Sequence, residues 1–302
     1  MYIGLDIGGT KILGGLIDEN KNILNSIKIK TDAANCTQED VYCKIVEVIS
    51  KLSKNQTIKG IGIGIPGSIN VETGTVEVSP NLPFSNFPLK KNLESDFKVP
   101  IAIGNDVNVG LLGEHWAGAA SKYKHVVGIF IGTGIGGAVI INNEMIYGHH
   151  HIAGEIGHIK MKLKGPTCNC GEVGCFEALA SKTGIMRQLN KFGFEFDGIM
   201  KSSFLKENIE SNNKDVKIVL KKTAGYIGHM IGSLTNVINP EAFILGGGVI
   251  EAIGPYMLKK IELAANTTAL VKPTIKLSTL GDNALLFGAV RLISSQNINS
   301  LK

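Results

Sequence analysis

Long hydrophobic runs are missing from this chain of 302 residues. No apolar stretch approaches the roughly 18–20 residues that a membrane-spanning helix needs, so we expect no membrane partner. Aromatic residues make up 6% of the chain, and the 31 lysines and arginines form no dense basic block, which argues against a nucleic-acid partner. With 44% hydrophobic residues the chain can bury a large core, and its length favours two lobes.

Cysteine is also scarce, with five residues in total. Two of them, Cys36 and Cys43, fit no metal-ligand spacing, and no apolar signal segment follows Met1. These features predict plain thiols in a reducing compartment, and therefore a cytoplasmic protein.

The other three cysteines follow a histidine and complete a set of four candidate zinc ligands: His158, Cys168, Cys170 and Cys175. Thiolates and an imidazole suit zinc, and a closed set of four is typical of a tetrahedral structural site. The alternative is that these cysteines are merely small buried hydrophobic residues. Glycines and a proline make the segment loop-like, which favours the metal. Because Glu155 and Glu177 flank the segment, a bound ion would hold two carboxylates near each other.

Two stretches of the chain, Ile3–Asp18 and Val127–Asn142, form an internal repeat. Each has an apolar strand, a glycine turn, a second apolar strand and a polar turn that suits a third strand. This repetition predicts a duplicated protein with two lobes.

Periodicity and turn chemistry predict further elements. These are helices over 37–54, 106–116, 176–192, 216–237 and 284–295, strands over 60–65, 100–103 and 242–245, a hairpin over 69–78, and a frayed polar end over 296–302.

The glycine turns at 62–67 and 132–137 both match the dinucleotide pattern G-x-G-x-x-G. That pattern requires a following helix, whereas both turns run into strand-like sequence, so we reject nicotinamide binding. Backbone N–H groups of such turns can still hold phosphate, although tight hairpins alone would also explain the glycines. Asp6 is the candidate carboxylate for Mg²⁺. Lys11 could offset phosphate charge, or it could be a solvated edge residue.

Several motifs along the whole chain resemble the ROK family of bacterial sugar kinases and sugar-responsive repressors. They are Asp6-Ile-Gly-Gly-Thr-Lys11, Gly104-Asn-Asp106, Ile131-Gly-Thr-Gly-Ile-Gly-Gly137, Ala153-Gly-Glu-Ile-Gly-His158 and the cysteine segment that ends at Glu177. The resemblance implies an α/β protein with the actin-like ATPase (ribonuclease H-like) fold, whose two lobes close a cleft over ATP and a sugar. It also implies a homodimer. We expect lobes over 1–115 and 116–283, the second carrying the zinc segment and the helix from about 284 to 302 packing back on the first.

The resemblance also assigns roles to residues. Asp106 is expected to be the general base, although an aspartate at this position could instead cap a helix. The implied sugar contacts are Gly67, Asn81, Asn105, Asp106, Glu155, His158 and Glu177. The implied ATP and Mg²⁺ contacts are Asp6, Gly8, Gly9, Thr10, Lys11, Gly132, Thr133 and Gly134, with Gly246, Gly247 and Gly248 at the adenosine. The zinc ion is implied to be structural.

The expected activity is ATP-dependent phosphorylation of the 6-hydroxyl of a hexose. Glucose is the first expectation, with N-acetylmannosamine and fructose as alternatives. A repressor of the same family would carry a helix-turn-helix ahead of the first strand, and that strand begins here at Tyr2, which favours the kinase. His149–His151 is expected to be a loop beside the sugar pocket.

Overall fold

The computed structural model describes the backbone of residues 1–299 and the side chains of residues 1–295. The chain forms two compact units. The first contains Met1–Lys122, Gly148–His151 and the C-terminal segment from Asp282, and the second contains Tyr123–Tyr147 and Ile152–Gly281. The sequence placed a boundary after residue 115, which lies inside a helix that continues to Ala117. None of the described helices is long and apolar enough to cross a membrane.

The first unit contains two sheets. Their strands are β1 (Tyr2–Ile7), β2 (Lys11–Ile17), β3 (Ile23–Lys30), β4 (Gly60–Ile65), β5 (Ser68–Asn70), β6 (Thr75–Val78), β7 (Ser85–Phe87) and β8 (Ile101–Asn105). The larger sheet has five strands in the order β3-β2-β1-β4-β8. Neighbours among β1, β2 and β3 are antiparallel, whereas β1, β4 and β8 run parallel. The second, three-stranded sheet contains the predicted hairpin and one more strand.

Four helices accompany these sheets: α1 (Gln38–Ser53), α2 (Leu89–Phe97), α3 (Asp106–Ala117) and α9 (Asn283–Asn299). Helix α1 begins with the predicted capping box between Thr37 and Asp40. Its predicted apolar face is buried against the sheet. Helix α2 was not predicted; Leu89, Leu93 and Phe97 recur at helical spacing, but nine residues are too few for this pattern to identify a helix.

Helices α3 and α9 approach each other at glycines. A Cβ at Gly288 would lie 1.7 Å from the carbonyl oxygen of Val109, and a Cβ at Gly113 would lie 1.9 Å from that of Ala284. Only a residue without a side chain allows this contact of backbone on backbone. Helix α9 was predicted to stop at residue 295 but continues to Asn299, and the predicted frayed residues 300–302 lie outside the described part.

The second unit has strands β9 (Val126–Ile131), β10 (Ile135–Ile141), β11 (Glu144–Met145), β12 (Ala242–Gly246) and β13 (Ile275–Leu277). They form one sheet in the order β11-β10-β9-β12-β13, which repeats the plan of the first unit. An antiparallel hairpin leads to a third strand, and two parallel strands complete the other side. The predicted duplication is therefore confirmed.

The helices of this unit are α4 (Phe176–Ala180), α5 (Lys182–Asn190), α6 (Ser202–Glu210), α7 (Lys214–Ile238) and α8 (Gly248–Asn266). The single helix predicted over 176–192 was wrong, because Ser181 adopts an extended backbone and ends α4. Its hydroxyl accepts a hydrogen bond from the Gly184 N–H at 3.1 Å and so caps α5. The core of the unit packs Phe176, Ile227 and Met257 against Phe243 on the sheet.

Candidate active site and metal centre

The four predicted metal ligands come together in the second unit. The ligand atoms of His158, Cys168, Cys170 and Cys175 all lie within 4.8 Å of one another. The sulfurs of Cys170 and Cys175 are 3.8 Å apart, and Nδ1 of His158 is 3.7 Å from the sulfur of Cys168. A tetrahedral zinc ion with Zn–S bonds of about 2.3 Å separates its sulfur ligands by about 3.8 Å. The donor set and its spacing therefore fit zinc.

A tight loop brings the cysteines to these positions. The Cys168 N–H donates to the Glu172 carbonyl at 2.7 Å, and Gly171 and Gly174 have φ of +91° and +78°. A Cβ at Gly174 would lie 1.9 Å from the carbonyl oxygen of Lys162. Burial raises the pKa of Cys168 to about 12, so this thiol stays protonated unless a cation displaces the proton.

The two flanking carboxylates play different parts in the geometry. Glu155 Oε2 lies 3.9 Å from His158 Nε2, the ring nitrogen on the side away from Cys168. Glu177, in the first turn of α4, accepts a hydrogen bond from the Ile135 N–H at 2.9 Å through Oε2. The Cys168 thiol donates to Oε1 of the same carboxylate at 3.4 Å. Glu177 thus joins the metal segment to the glycine turn that leads into β10.

That turn forms bonds within the second unit. The Gly132 N–H donates to the Gly134 carbonyl at 2.9 Å, and the first residues of α5 donate to the carbonyls of Gly132 and Thr133. A strand follows the turn, as predicted, and not a helix.

The turn between β12 and α8 requires glycine. Gly247 has φ of +84°, and its Cβ would lie 2.7 Å from the Ile131 nitrogen. At Gly246 a Cβ would lie 2.8 Å from the Phe130 ring. Two glycines of the 246–248 run are therefore explained by packing against β9.

In the first unit, Asn105 caps α3. Its Oδ1 accepts hydrogen bonds from the N–H groups of Val107 at 2.9 Å and Asn108 at 3.4 Å, while its Nδ2 donates to the Gly67 carbonyl at 3.2 Å. Asp106 is the first helical residue, and its Oδ1 accepts from the Val107 N–H at 2.9 Å. The capping role considered for Asp106 therefore belongs to its neighbour.

Asp6 lies near the end of β1, beside Gly64 of β4, which in turn pairs with Gly104 of β8. The carboxyl ends of these parallel strands carry Asp6 and Asp106 to one edge of the sheet. Burial raises the pKa of Asp6 to about 6; Lys11 lowers it and the nearby Asp106 adds to the rise.

The turn between β1 and β2 packs closely on a neighbouring loop. A Cβ at Gly9 would lie 2.5 Å from the carbonyl oxygen of Asn81. Gly67 has φ of +121°, and its Cβ would lie 2.2 Å from the carbonyl oxygen of Val78. Both glycines are needed where they stand. They bring predicted ATP and sugar residues of the first unit together.

Sequence reasoning missed Asp282. The Lys11 ammonium donates to its Oδ2 at 2.7 Å, and this hydrogen bond lowers the pKa of Asp282. Lys11 is thus an ion-paired residue and not a merely solvated one. The Gly281-Asp282 sequence directly before α9 was the available signal for a polar turn. The His149–His151 run lies in the first unit, with the rings of His149 and His150 packed 4.5 Å apart.

The sequence pattern of the ROK family matches residues 2–296. The chain belongs to the ROK family. A glucokinase of Halalkalibacterium halodurans is 32% identical to it over 100% of this chain and 97% of its own. The solved ROK hexokinase of Thermus thermophilus superposes with a TM-score of 0.88 at 28% identity, covering 99% of both chains. A ROK glucokinase of Streptomyces griseus, solved with glucose and AMPPNP, gives 0.83 at 29% identity, covering 97% of this chain and 99% of its own. The fold is thus the expected actin-like ATPase fold.

Proposed function

We propose that this chain is an ATP-dependent hexose kinase that phosphorylates the 6-hydroxyl of glucose, with Asp106 as the general base. Similarity over the full length to a glucokinase supports the activity. The observation that carries the assignment of the base is the position of Asp106, which directly follows β8 and lies at the same edge of the sheet as Asp6.

Phosphoryl transfer from ATP passes through a loose transition state, so the protein mainly positions the acceptor, neutralises phosphate charge and removes one proton. In our proposal Asp106 accepts the proton of the sugar hydroxyl as its oxygen attacks the γ-phosphorus. The bond from that phosphorus to the β,γ-bridging oxygen breaks, and ADP leaves. Asp6 lies at the same edge of the sheet and is the residue that would hold Mg²⁺ through water. The ion would supply positive charge to the phosphates.

The phosphates of ATP are assigned to the backbone of Gly8–Lys11 and of Gly132–Gly134, and the adenosine to Gly246–Gly248. Open space at Gly132 supports the assignment, since a Cβ built there would meet no described atom within 4 Å and a ligand has room beside the backbone. The ammonium of Lys11, the last residue of the Gly8–Lys11 segment, is held by a hydrogen bond to Asp282.

The sugar contacts we propose are Gly67, Asn81, Asn105, Glu155, His158 and Glu177. Carboxylates and amides suit a ring of hydroxyl groups, because they accept and donate at fixed points. A structural zinc ion on Nδ1 of His158 would leave Nε2 facing Glu155, and a fixed tautomer would follow. The ion would affect sugar binding only by holding these side chains in place. A homodimer and a reducing cytoplasmic setting complete the proposal, the latter supported by Cys36 and Cys43, which form no disulfide.

The proposal is tested by a coupled assay of ADP release with glucose, N-acetylmannosamine, N-acetylglucosamine, mannose and fructose. The highest kcat/KM is expected with glucose. A clear preference for N-acetylmannosamine or fructose would move the chain to one of the alternative kinase activities. No turnover with any of the five sugars would instead support a sugar-binding regulator.

A further inference from the structure

A pocket of about 460 Å³ lies in the second unit, apart from every residue assigned above to ATP, sugar or zinc. Its walls are the segment before Cys168 and helices α4, α5 and α7. Its volume falls within the range of roughly 300–1,000 Å³ that small-molecule sites occupy. The pocket is therefore large enough for a ligand the size of a sugar phosphate or a nucleotide.

The pocket is strongly basic. Its described lining includes five cationic side chains and no carboxylate. They come from three parts of the chain: Lys162 and Lys164 before the metal cysteines, Arg187 and Lys191 on and just after α5, and Lys222 on α7. Among the side chains that the structure describes, no carboxylate lies within 4.0 Å of any of these four lysines. Gathering like charges is unfavourable, and an anion in the pocket would offset it.

Arg187 is held in place by two hydrogen bonds before any ligand arrives, and Lys162 lies beside an aromatic ring. The Arg187 guanidinium donates to the carbonyls of Ala178 at 3.0 Å and Thr167 at 3.3 Å. Further N–H donors of the guanidinium remain for a ligand, since an arginine has five. The Lys162 ammonium lies 5.3 Å from the centroid of the Tyr226 ring. Ordered donors lower the entropy lost on binding.

The lining also has an apolar part, formed by Pro166, Leu179 and the Tyr226 ring. A phosphate group satisfies several lysines at once, because it carries up to two negative charges and three free oxygens. The apolar surface suits a carbon skeleton attached to that phosphate. We propose that this pocket binds an organic phosphate, meaning a phosphate ester on a skeleton between a hexose and a nucleoside in size.

Arg187 would connect a ligand in the pocket to the metal centre, through the hydrogen bonds that it donates to neighbouring segments. Thr167, which accepts one of its hydrogen bonds, directly precedes the metal ligand Cys168. Ala178, which accepts the other, directly follows Glu177. A ligand that contacts Arg187 therefore restrains both segments that carry the proposed sugar-side groups.

The test is calorimetric titration of the full chain loaded with zinc, with glucose and a non-hydrolysable ATP analogue at saturation so that the proposed active site is filled. The probes are glucose 6-phosphate, adenosine monophosphate and inorganic phosphate, each at about 0.15 M salt so that distant charges are screened. At least one organic phosphate is expected to bind once per chain, at least about tenfold more tightly than inorganic phosphate. The probe that binds identifies the source of the ligand.

The double variant Lys191→Gln/Lys222→Gln removes two pocket charges from exposed positions. Binding of the organic phosphate should weaken by about tenfold or more. The control is Lys272→Gln/Lys276→Gln, which removes two exposed lysines of the same unit outside the pocket and should change Kd less than about twofold. Both variants should keep wild-type ADP release. The proposal is overturned if neither organic phosphate binds below about 10 mM, if inorganic phosphate binds equally well, or if both double variants weaken binding equally.

Discussion

The Glu177 carboxylate accepts a hydrogen bond from the Ile135 N–H at 2.9 Å. This contact ties the first turn of α4 to the glycine turn ahead of β10, across 42 positions of sequence. It gives Glu177 a structural duty in addition to its proposed contact with the sugar.

Glu177→Ala should lower both stability and activity. The Ile135 N–H would lose its partner, which costs about 1–3 kcal/mol of unfolding free energy when a buried donor is left unpaired. Glu155→Ala is the matched control, because its carboxylate is exposed and should affect KM for glucose without a change in Tm. Urea unfolding and steady-state kinetics separate the two effects. Equal stability of both variants would remove the structural role of Glu177.

Asp106→Asn should abolish most turnover while the fold and sugar binding remain. Loss of a general base lowers kcat by about 10²- to 10⁴-fold. Asp215→Asn makes the same change in the first turn of another helix, α7, and should leave kcat unchanged. Kinetics, with glucose affinity measured by intrinsic fluorescence, check the prediction. An Asp106→Asn enzyme near wild-type activity would rule out this base.

Protein purified without chelators should contain about one zinc ion per chain, given four ligands in tetrahedral spacing. Cys170→Ser should lose the metal and lower Tm, by about 2–4 °C for each kcal/mol lost in a protein of this size. Cys43→Ser changes an exposed thiol outside the cluster and should keep the wild-type zinc content and Tm. Atomic emission and thermal unfolding supply the measurements. A zinc content well below one in the wild-type protein contradicts the metal centre.

Asp6 should make stability depend on pH between about 4 and 6. Its pKa is raised from the model-peptide value of 3.8 to about 6, so the folded state binds a proton more tightly than the unfolded chain. The free-energy penalty for ionising the Asp6 carboxyl in the folded state is therefore absent below pH 4. It grows as pH rises through 6 and lowers the free energy of unfolding by up to about 3 kcal/mol at pH 7. Asp6→Asn should remove that penalty and be the more stable protein at pH 7. Urea unfolding at pH 4.5, 5.5 and 7 tests this, and a difference between the two proteins that does not change with pH contradicts it.

Gly288→Ala should weaken the contact between α3 and α9. The new Cβ would lie 1.7 Å from a backbone oxygen of Val109, so the helices must separate, at a cost of about 3 kcal/mol. Gly225→Ala is the control, because no described atom lies within 4 Å of a Cβ built there in α7. That substitution should stabilise the protein by about 0.5–1 kcal/mol through helix propensity. Thermal unfolding of the two variants should therefore shift in opposite directions, and a harmless Gly288→Ala would contradict the close approach.

Local chemistry made much of the fold predictable. The capping box of Thr37 and Asp40 marked the start of α1, and the repeated glycine turns marked both hairpins. The break at Ser181 was missed, although the polar run Ser181-Lys-Thr-Gly184 separates two apolar stretches and serine is a favoured N-cap. A tertiary hydrogen bond from the Lys182 N–H to the Gly132 carbonyl also holds the chain at this break.

The clustering of the four candidate metal ligands could also be predicted, since three of the four lie within one short loop whose spacing is visible in the sequence. The pair Lys11 and Asp282 could not, because 271 positions separate them. Only the packing of α9 on the first sheet brings these residues together. Contacts of this kind depend on the chain topology, which local sequence patterns do not predict.

The packing of α9 has a consequence for how the protein is made. The first unit takes its last helix from the end of the chain, after the second unit has been synthesised. At about 5–20 residues per second, the ribosome needs roughly 10–30 s to pass from the end of α3 to the start of α9. During that interval β1, β4 and β8 lack the helix that covers them. The nascent first unit therefore leaves apolar surface of this sheet uncovered while the second unit is being synthesised.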